Sequence, residues 1–236
     1  MSSQKDQHDA CARTAGGLRS AVVDLSHHQR AVDFRVLRHL GVQAVIHKAS
    51  QGAGYADPRY RTRRNLAASQ NLLWGAYHFG TGDAVAGQVN NFLAQVSGHE
   101  GALLVLDVEP NPGGTSMSLA QAEEWVLEVR ERTGRPVVVY GGGDYLRDSL
   151  QPPADSPLGQ GGLWWARWGS DPGQHLPAPW AAWSLWQHTD GQFGGAPMGC
   201  PEATAGEPCD RSAHRGEAAD LAAWWAAGGL PGAVAP

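Results

Sequence analysis

Leu103-Leu104-Val105-Leu106-Asp107-Val108-Glu109 is the stretch on which the fold turns. Four apolar residues lead into two carboxylates spaced i, i+2. In an extended strand both acids point the same way, roughly 6–7 Å apart along the chain. A hydrophobic strand that delivers two acids to one spot implies acid/base chemistry at the end of a buried sheet. Cleavage of glycosidic bonds is the reaction that most often uses two neighbouring carboxyl groups.

Working outward from that strand, short apolar runs alternate with helical patterns. Strands are expected over 20–25, 43–49, 72–79, 102–108 and 136–140. Asp33 can cap a short helix carrying Val36, Leu37 and Leu40 and closed by Gly41. Asp57-Pro58 reads as a cap followed by a proline in the first turn of a helix running to about Ser69. Asp83 can cap a helix with Val85, Val89, Phe92 and Val96 at helical spacing. Ser118-x-x-Gln121 resembles a capping box ahead of Leu119, Ala122, Val126 and Val129. After residue 150 the helices thin out. Segments 163–168 and 183–187 read as strands in Pro/Gly-rich surroundings, and 217–227 reads as a terminal helix. Five strand–helix alternations imply an α/β fold with a parallel sheet, closed into a barrel or open and doubly wound. Asp24, Asp107 and Tyr140 fall at or near C-terminal strand ends, where a barrel enzyme keeps its chemistry. No phosphate-binding glycine motif follows the first strand, which argues against a nucleotide-binding fold.

The 236 residues suit one barrel-sized domain, and 42% of them are apolar. A net charge of −5 leaves no basic footprint for nucleic acid. No apolar run reaches the ~20 residues of a membrane helix. Residues 1–17 are polar, lack the apolar core of a signal peptide, and read as a flexible tail. The barrel is expected over 18–230, with a second short tail over 231–236.

Carboxylates at the end of a buried strand cost desolvation energy unless paired or hydrogen-bonded. An ionised Asp107 raises the pKa of Glu109 by like-charge repulsion and keeps it protonated for donation. The competing reading is a salt-bridged pair that only braces the fold. His27, His28, His47 and His78 lie near strand ends, but no zinc-ligand spacing links them, so neither metal nor cofactor is expected. Ten tryptophans outnumber four phenylalanines and five tyrosines. They serve either as core packing or as a wall for sugar rings. Cys200 and Cys209 are close enough in sequence for a bridge worth roughly 2–3 kcal/mol, formed in an oxidising compartment. The alternative is three free thiols.

Six segments in order resemble the family 25 glycoside hydrolases, the N-acetylmuramidases of bacterial and phage type. They are Val23-Asp24-Leu25-Ser26-His27-His28-Gln29, Lys48-Ala49-Ser50-Gln51-Gly52 with Tyr55 and Asp57-Pro58, Gly75-Ala76-Tyr77-His78-Phe79, the Asp107-x-Glu109 strand, Leu163-Trp164-Trp165-Ala166-Arg167-Trp168, and Trp186-Gln187. The match spans about residues 20–216. The chain departs from the family at Gln51, where Glu is usual, and at Ser212, where Asn is usual.

The resemblance implies an irregular TIM-like barrel, five β/α units followed by three strands with few helices. It implies Glu109 as general acid, Asp107 orienting the N-acetyl group or stabilising the transition state, and Asp24 lining the floor. Asp210 is the candidate for a late aspartate. Tyr77, His78, Tyr140, Trp165, Arg167, Trp186 and Gln187 are expected at the sugar. The implied reaction is hydrolysis of the β-1,4 bond from N-acetylmuramic acid to N-acetylglucosamine in peptidoglycan. A retaining route through the substrate's own acetamide and an inverting route with Asp107 or Asp210 as base both remain open. A silent carbohydrate-binding barrel, a chitinase-like hydrolase and a metal-dependent amidase are the rival readings. The protein is expected to act as a monomer, secreted or delivered to the cell wall or periplasm.

Overall fold

The computed structural model describes residues 13–231. Strands β1 (Arg19–Leu25), β2 (Ala44–Gln51), β4 (Leu73–Phe79), β5 (Leu103–Asp107), β6 (Val138–Gly142), β7 (Leu163–Ala166), β8 (Leu185–Thr189) and β9 (Asp210–His214) close into a barrel. The order is β1-β9-β8-β7-β6-β5-β4-β2, and β2 returns to pair with β1. All neighbours run parallel except β9, which is antiparallel to both β1 and β8. The two-residue strand β3 (Tyr55–Ala56) folds back on the end of β2. Helices α1 (Phe34–His39), α2 (Tyr60–Ser69), α3 (Val85–Val96) and α4 (Leu119–Thr133) follow the first strands of the series. A π-helical segment (Gly143–Leu150) takes the fifth helical place, and α5 (Ala218–Ala226) ends the fold. This is the irregular TIM-like barrel expected from the sequence.

Period-2 alternation sorts the strand residues into two apolar layers. Val23, Leu25, Val45, Leu104, Leu106 and Val139 face outward and pack on Leu37, Tyr60, Phe92, Trp125 and Val129 of the helices and their approaches. Val22, Ala44, Ile46, Leu103, Val105, Val138 and Trp164 face inward. Leu221, Trp224 and Trp225 of α5 join that inner layer and close the barrel at the N-terminal ends of its strands. Trp225 Nε1 donates to the Trp74 carbonyl at 3.0 Å, and Gly162 N donates to Gly229 O at 2.9 Å. The opposite, C-terminal end stays open.

Local signals explain most helix boundaries. Asp33 accepts from Arg35 N at 2.9 Å and Val36 N at 3.2 Å, capping α1 as expected. Ser118 and Gln121 form the capping box of α4, which stops at Gly134 with φ 66°. Two caps read from the sequence are not made. Asp57 accepts from His27 N and from Arg59 N, both at 2.9 Å, and α2 starts one turn later. Asp83 accepts from Ala53 N at 2.9 Å, and α3 starts behind Ala84 without a side-chain cap. A distant loop takes the Asp83 carboxylate, while Asp57 divides its oxygens between distant His27 N and neighbouring Arg59 N ahead of the helix.

The expected N-terminal tail falls mainly on residues 1–12, outside the described residues, as do residues 232–236 of the C-terminal one. Residues 13–17 fold back so that Arg13 bridges to Arg19, and Arg13 pairs with Glu217 at 3.2 Å. Cys200 and Cys209 are both buried as free thiols. The structure therefore does not show the expected bridge between them. No described helix is long and apolar enough to cross a membrane.

Candidate active site

At the open end, Asp24 (β1), Tyr77 (β4), Asp107 and Glu109 (β5 and its exit), Tyr140 (β6), Trp164 (β7) and Asp210 (β9) line one small cavity of about 90 Å³. The two acids of the opening strand therefore reach the same space, with two more carboxyls beside them. Glu109 and Tyr140 also line a neighbouring open cleft of about 440 Å³, whose far wall carries Arg147, Arg167 and Trp168. The acid cavity thus forms the floor of a surface cleft, with Glu109 on the border between the two.

Local geometry sets each acid. Gly80 N donates to the Asp107 carbonyl at 2.9 Å, fixing the turn after β4 against the end of β5. A Cβ at Gly80 would lie 2.6 Å from Met117 Sδ and 3.3 Å from the Asp107 carbonyl, so a larger residue would have to push the buried Met117 aside. Asp24 and Asp210 are direct partners in the antiparallel β1–β9 pair. Gln187 on β8 joins them, its Nε2 donating to Asp24 Oδ2 at 3.1 Å and to Asp210 Oδ2 at 3.0 Å. Its Oε1 accepts from Tyr140 OH at 2.9 Å and Trp168 Nε1 at 3.1 Å. Ser212, two residues beyond Asp210, accepts from Trp164 Nε1 at 2.8 Å and so holds the indole that lines the cavity.

Desolvation dominates the electrostatics. Burial first and repulsion from Glu109 second push Asp107 well above the usual carboxylate range, while Lys48 pulls it back. Burial also raises Glu109, again opposed by Lys48. The pair therefore holds a proton at pH values where ordinary carboxyls have lost theirs, and it titrates as a unit. Burial followed by repulsion from Asp210 raises Asp24, and burial followed by Asp190 raises Asp210 to about 7. Asp24 and Asp210 are register partners that share the Gln187 amide, so ionising one disfavours ionising the other. Asp107 Oδ1 is buried and has no hydrogen-bond partner within the protein. A buried acceptor left open costs stability unless a ligand's donor reaches it. Burial keeps the Tyr77 and Tyr140 hydroxyls neutral.

The arrangement can protonate a leaving oxygen from Glu109 while Asp107 accepts a hydrogen bond from the same substrate. Tyr77 and Tyr140 lie around the acids, and Arg167 lies on the cleft wall. Gln187 is there too, but as a brace for the acids and only 1% exposed. Three expected sugar contacts are placed elsewhere. His78 faces outward from the barrel, bonded to Ser50 Oγ at 2.8 Å and stacked on Trp125 at 5.3 Å. Trp186 is buried in the outer layer, its Nε1 donating to the Arg167 carbonyl. Trp165 belongs to the same layer and meets the cleft only at its edge. In both, one step of strand parity turns the side chain away. Trp164, Trp168 and Lys48 were missed as site residues. The facing of Trp164 depends on the register of β7 with β6 and β8, and Lys48 stands in a family-like segment whose sequence does not show that its ammonium turns toward the acids.

His27 and His28 sit on the rim, ring centroids 4.1 Å apart, with His27 Nδ1 3.2 Å from Asp57. His47 lies outside the barrel on Trp74. Among the described residues no three His, Cys, Asp or Glu side chains gather as metal ligands would.

The sequence model of the glycosyl hydrolases of family 25 matches residues 23–195. Lysozyme M1 of Streptomyces globisporus is 27% identical over 215 residues, covering 85% of this chain and 69% of its own. The N,O-diacetylmuramidase of Chalaropsis sp is 27% identical over 191 residues, covering 73% of this chain and 90% of its own. The bacterial lysozyme from Streptomyces coelicolor superposes with a TM-score of 0.67 at 24% identity, over 86% of this chain and 95% of that one. The acid-lined mouth of the barrel is thus the expected site of a glycoside hydrolase, and the chain belongs to glycosyl hydrolase family 25.

Proposed function

We propose that the protein is a lysozyme, an N-acetylmuramidase that hydrolyses the β-1,4 bond from N-acetylmuramic acid to N-acetylglucosamine in bacterial peptidoglycan. The lysozyme and diacetylmuramidase relatives support this substrate. The observation that carries the chemistry is the open Oδ1 of Asp107 in a cavity that Glu109 shares.

An N-acetyl sugar brings the donor that this oxygen lacks. When the acetamido N–H bonds Asp107, it favours the ionised form, and the proton held by the pair moves to Glu109. Glu109 then protonates the glycosidic oxygen as the C1–O bond breaks. The acetamido oxygen closes on C1, and the N–H bonded to Asp107 sharpens it as a nucleophile. Water next opens the ring intermediate and gives its proton back to the Glu109 carboxylate, with net retention. Asp24 and Asp210, tied by Gln187, shape the floor, and the Arg167–Trp168 wall receives the chain beyond the cut bond. This reading puts the enzyme's work at the cell wall.

Clearing of purified cell walls tests the assignment. Glu109→Gln is expected to lower turnover at least ~100-fold, the scale of a lost general acid, with the melting temperature retained. Asp107→Asn is expected to fall comparably. Near-normal clearing by Glu109→Gln removes that residue from the role.

A further inference from the structure

Lys48 is buried, only 8% exposed, and its one hydrogen-bond acceptor among the described residues is neutral: Nζ donates to Gln51 Oε1 at 2.6 Å. The ammonium stands 4.9 Å from the Phe79 ring centroid and 5.8 Å from that of Tyr55. Strand register fixes what lies beside it. Gln51 on β2 pairs with Phe79 on β4, and Phe79 pairs with Asp107 on β5. Gln51, Phe79 and Asp107 therefore form one row across three strands at the barrel mouth, and the ammonium sits over its middle member.

A buried ammonium held only by an amide is costly unless nearby negative charge offsets its lost hydration. The charged and titratable groups around this space are known by element. β5 and its exit supply Asp107 and Glu109, and the β3 exit supplies Asp57. His27 and His28 come from the β1 exit, Asp24 from β1 itself and Asp210 from β9. Tyr77 and Tyr140 complete the cavity. The carboxyls that act on Lys48 are, in order, Asp107, Asp57 and Glu109. Asp57 is already engaged by His27 and Arg59 N. The acid pair is left as the counter-charge.

Resting on the muramidase reading, we propose that Lys48 is a positioning residue for the acid pair: its ammonium, held over Phe79 by Gln51, favours negative charge on the pair, so that Asp107 ionises and Glu109 carries the proton once the sugar binds. The neutrality of Gln51 is part of the device. A carboxylate at that position would pair with the ammonium and quench its field at Asp107.

The test is the pH dependence of kcat/KM on peptidoglycan, together with carboxyl-carbon NMR titration of the acids without substrate. Lys48→Met is expected to move both limbs of the bell, and both titrations, upward by about one pH unit, the lower end of what a neighbouring opposite charge imposes. Lys48→Arg is expected to leave the limbs where they are. Gln51→Glu, which keeps the lysine, is expected to shift them upward by a smaller amount, so the proposal stays testable if Lys48→Met does not fold. Uniform loss of activity with unmoved limbs, or unmoved titrations in Gln51→Glu, overturns it. A wild-type protein that leaves peptidoglycan intact defeats the muramidase reading instead, and the NMR titrations still decide the role of Lys48.

Discussion

Gln187 stands at the sugar in the sequence reading, yet its amide spends all its bonds on protein. Two donor contacts hold Asp24 and Asp210, and two acceptor contacts hold Tyr140 and Trp168. Asp24, Asp107 and Glu109 are legible because carboxylates at the ends of apolar strands have few other reasons to be there, whereas Asp210 is reached only through the family resemblance. The indoles are not legible, because parity within Leu163-Trp164-Trp165 depends on register with β6 and β8, which no local pattern states. His78 was misplaced for the same reason. Asp210 yields a prediction with a definite sign. Its folded pKa is raised to about 7 by burial and Asp190, so folding holds the proton more tightly than the unfolded chain does. That contribution is complete below the ordinary aspartate range and is lost as pH rises through 7. Asp210→Asn lacks it, so the variant's stability relative to wild type should climb between pH 4 and 7 by about 2 kcal/mol, the proton linkage reduced for the carboxyl's partial solvent contact. Urea unfolding across that range measures it, and a flat difference contradicts it.

At the scale of elements, agreement follows the locality of the signal. The capping box at Ser118 needs only residues of α4 and was read correctly. Ser118→Ala should cost about 1 kcal/mol in denaturant unfolding without altering activity per folded molecule. Asp57 and Asp83 look equally good as caps, but distant Ala53 N claims Asp83, and distant His27 N takes one oxygen of Asp57 while Arg59 N takes the other. Strand β9 carried almost no signal, since Asp210-Arg211-Ser212-Ala213-His214 has one apolar residue. It is buried nonetheless because most of its polar groups are met: Arg211 reaches the carbonyls of Gly199 and Ser20, and Ser212 takes the Trp164 indole, while Arg211 Nε and His214 Nε2 stay unpaired. That single antiparallel strand closes the barrel and brings Asp210 to Asp24.

For the whole molecule, closure is what turns scattered residues into a site. Asp24 and Asp210 are 186 positions apart in the chain, yet they face each other because β1 and β9 seal the sheet. The bottom is filled by Trp224 and Trp225, so among the described residues the deep approach to that layer is at the top, where the carboxyls are. Fold and cleft chemistry then point to one outcome on a bacterial cell wall, and mass analysis of the muropeptides released from purified peptidoglycan examines it most directly. The expected products of the wild type carry new reducing N-acetylmuramic acid ends, and Glu109→Gln of unchanged melting temperature yields almost none. Reducing N-acetylglucosamine ends, freed peptide stems, or the same products from Glu109→Gln would contradict the account.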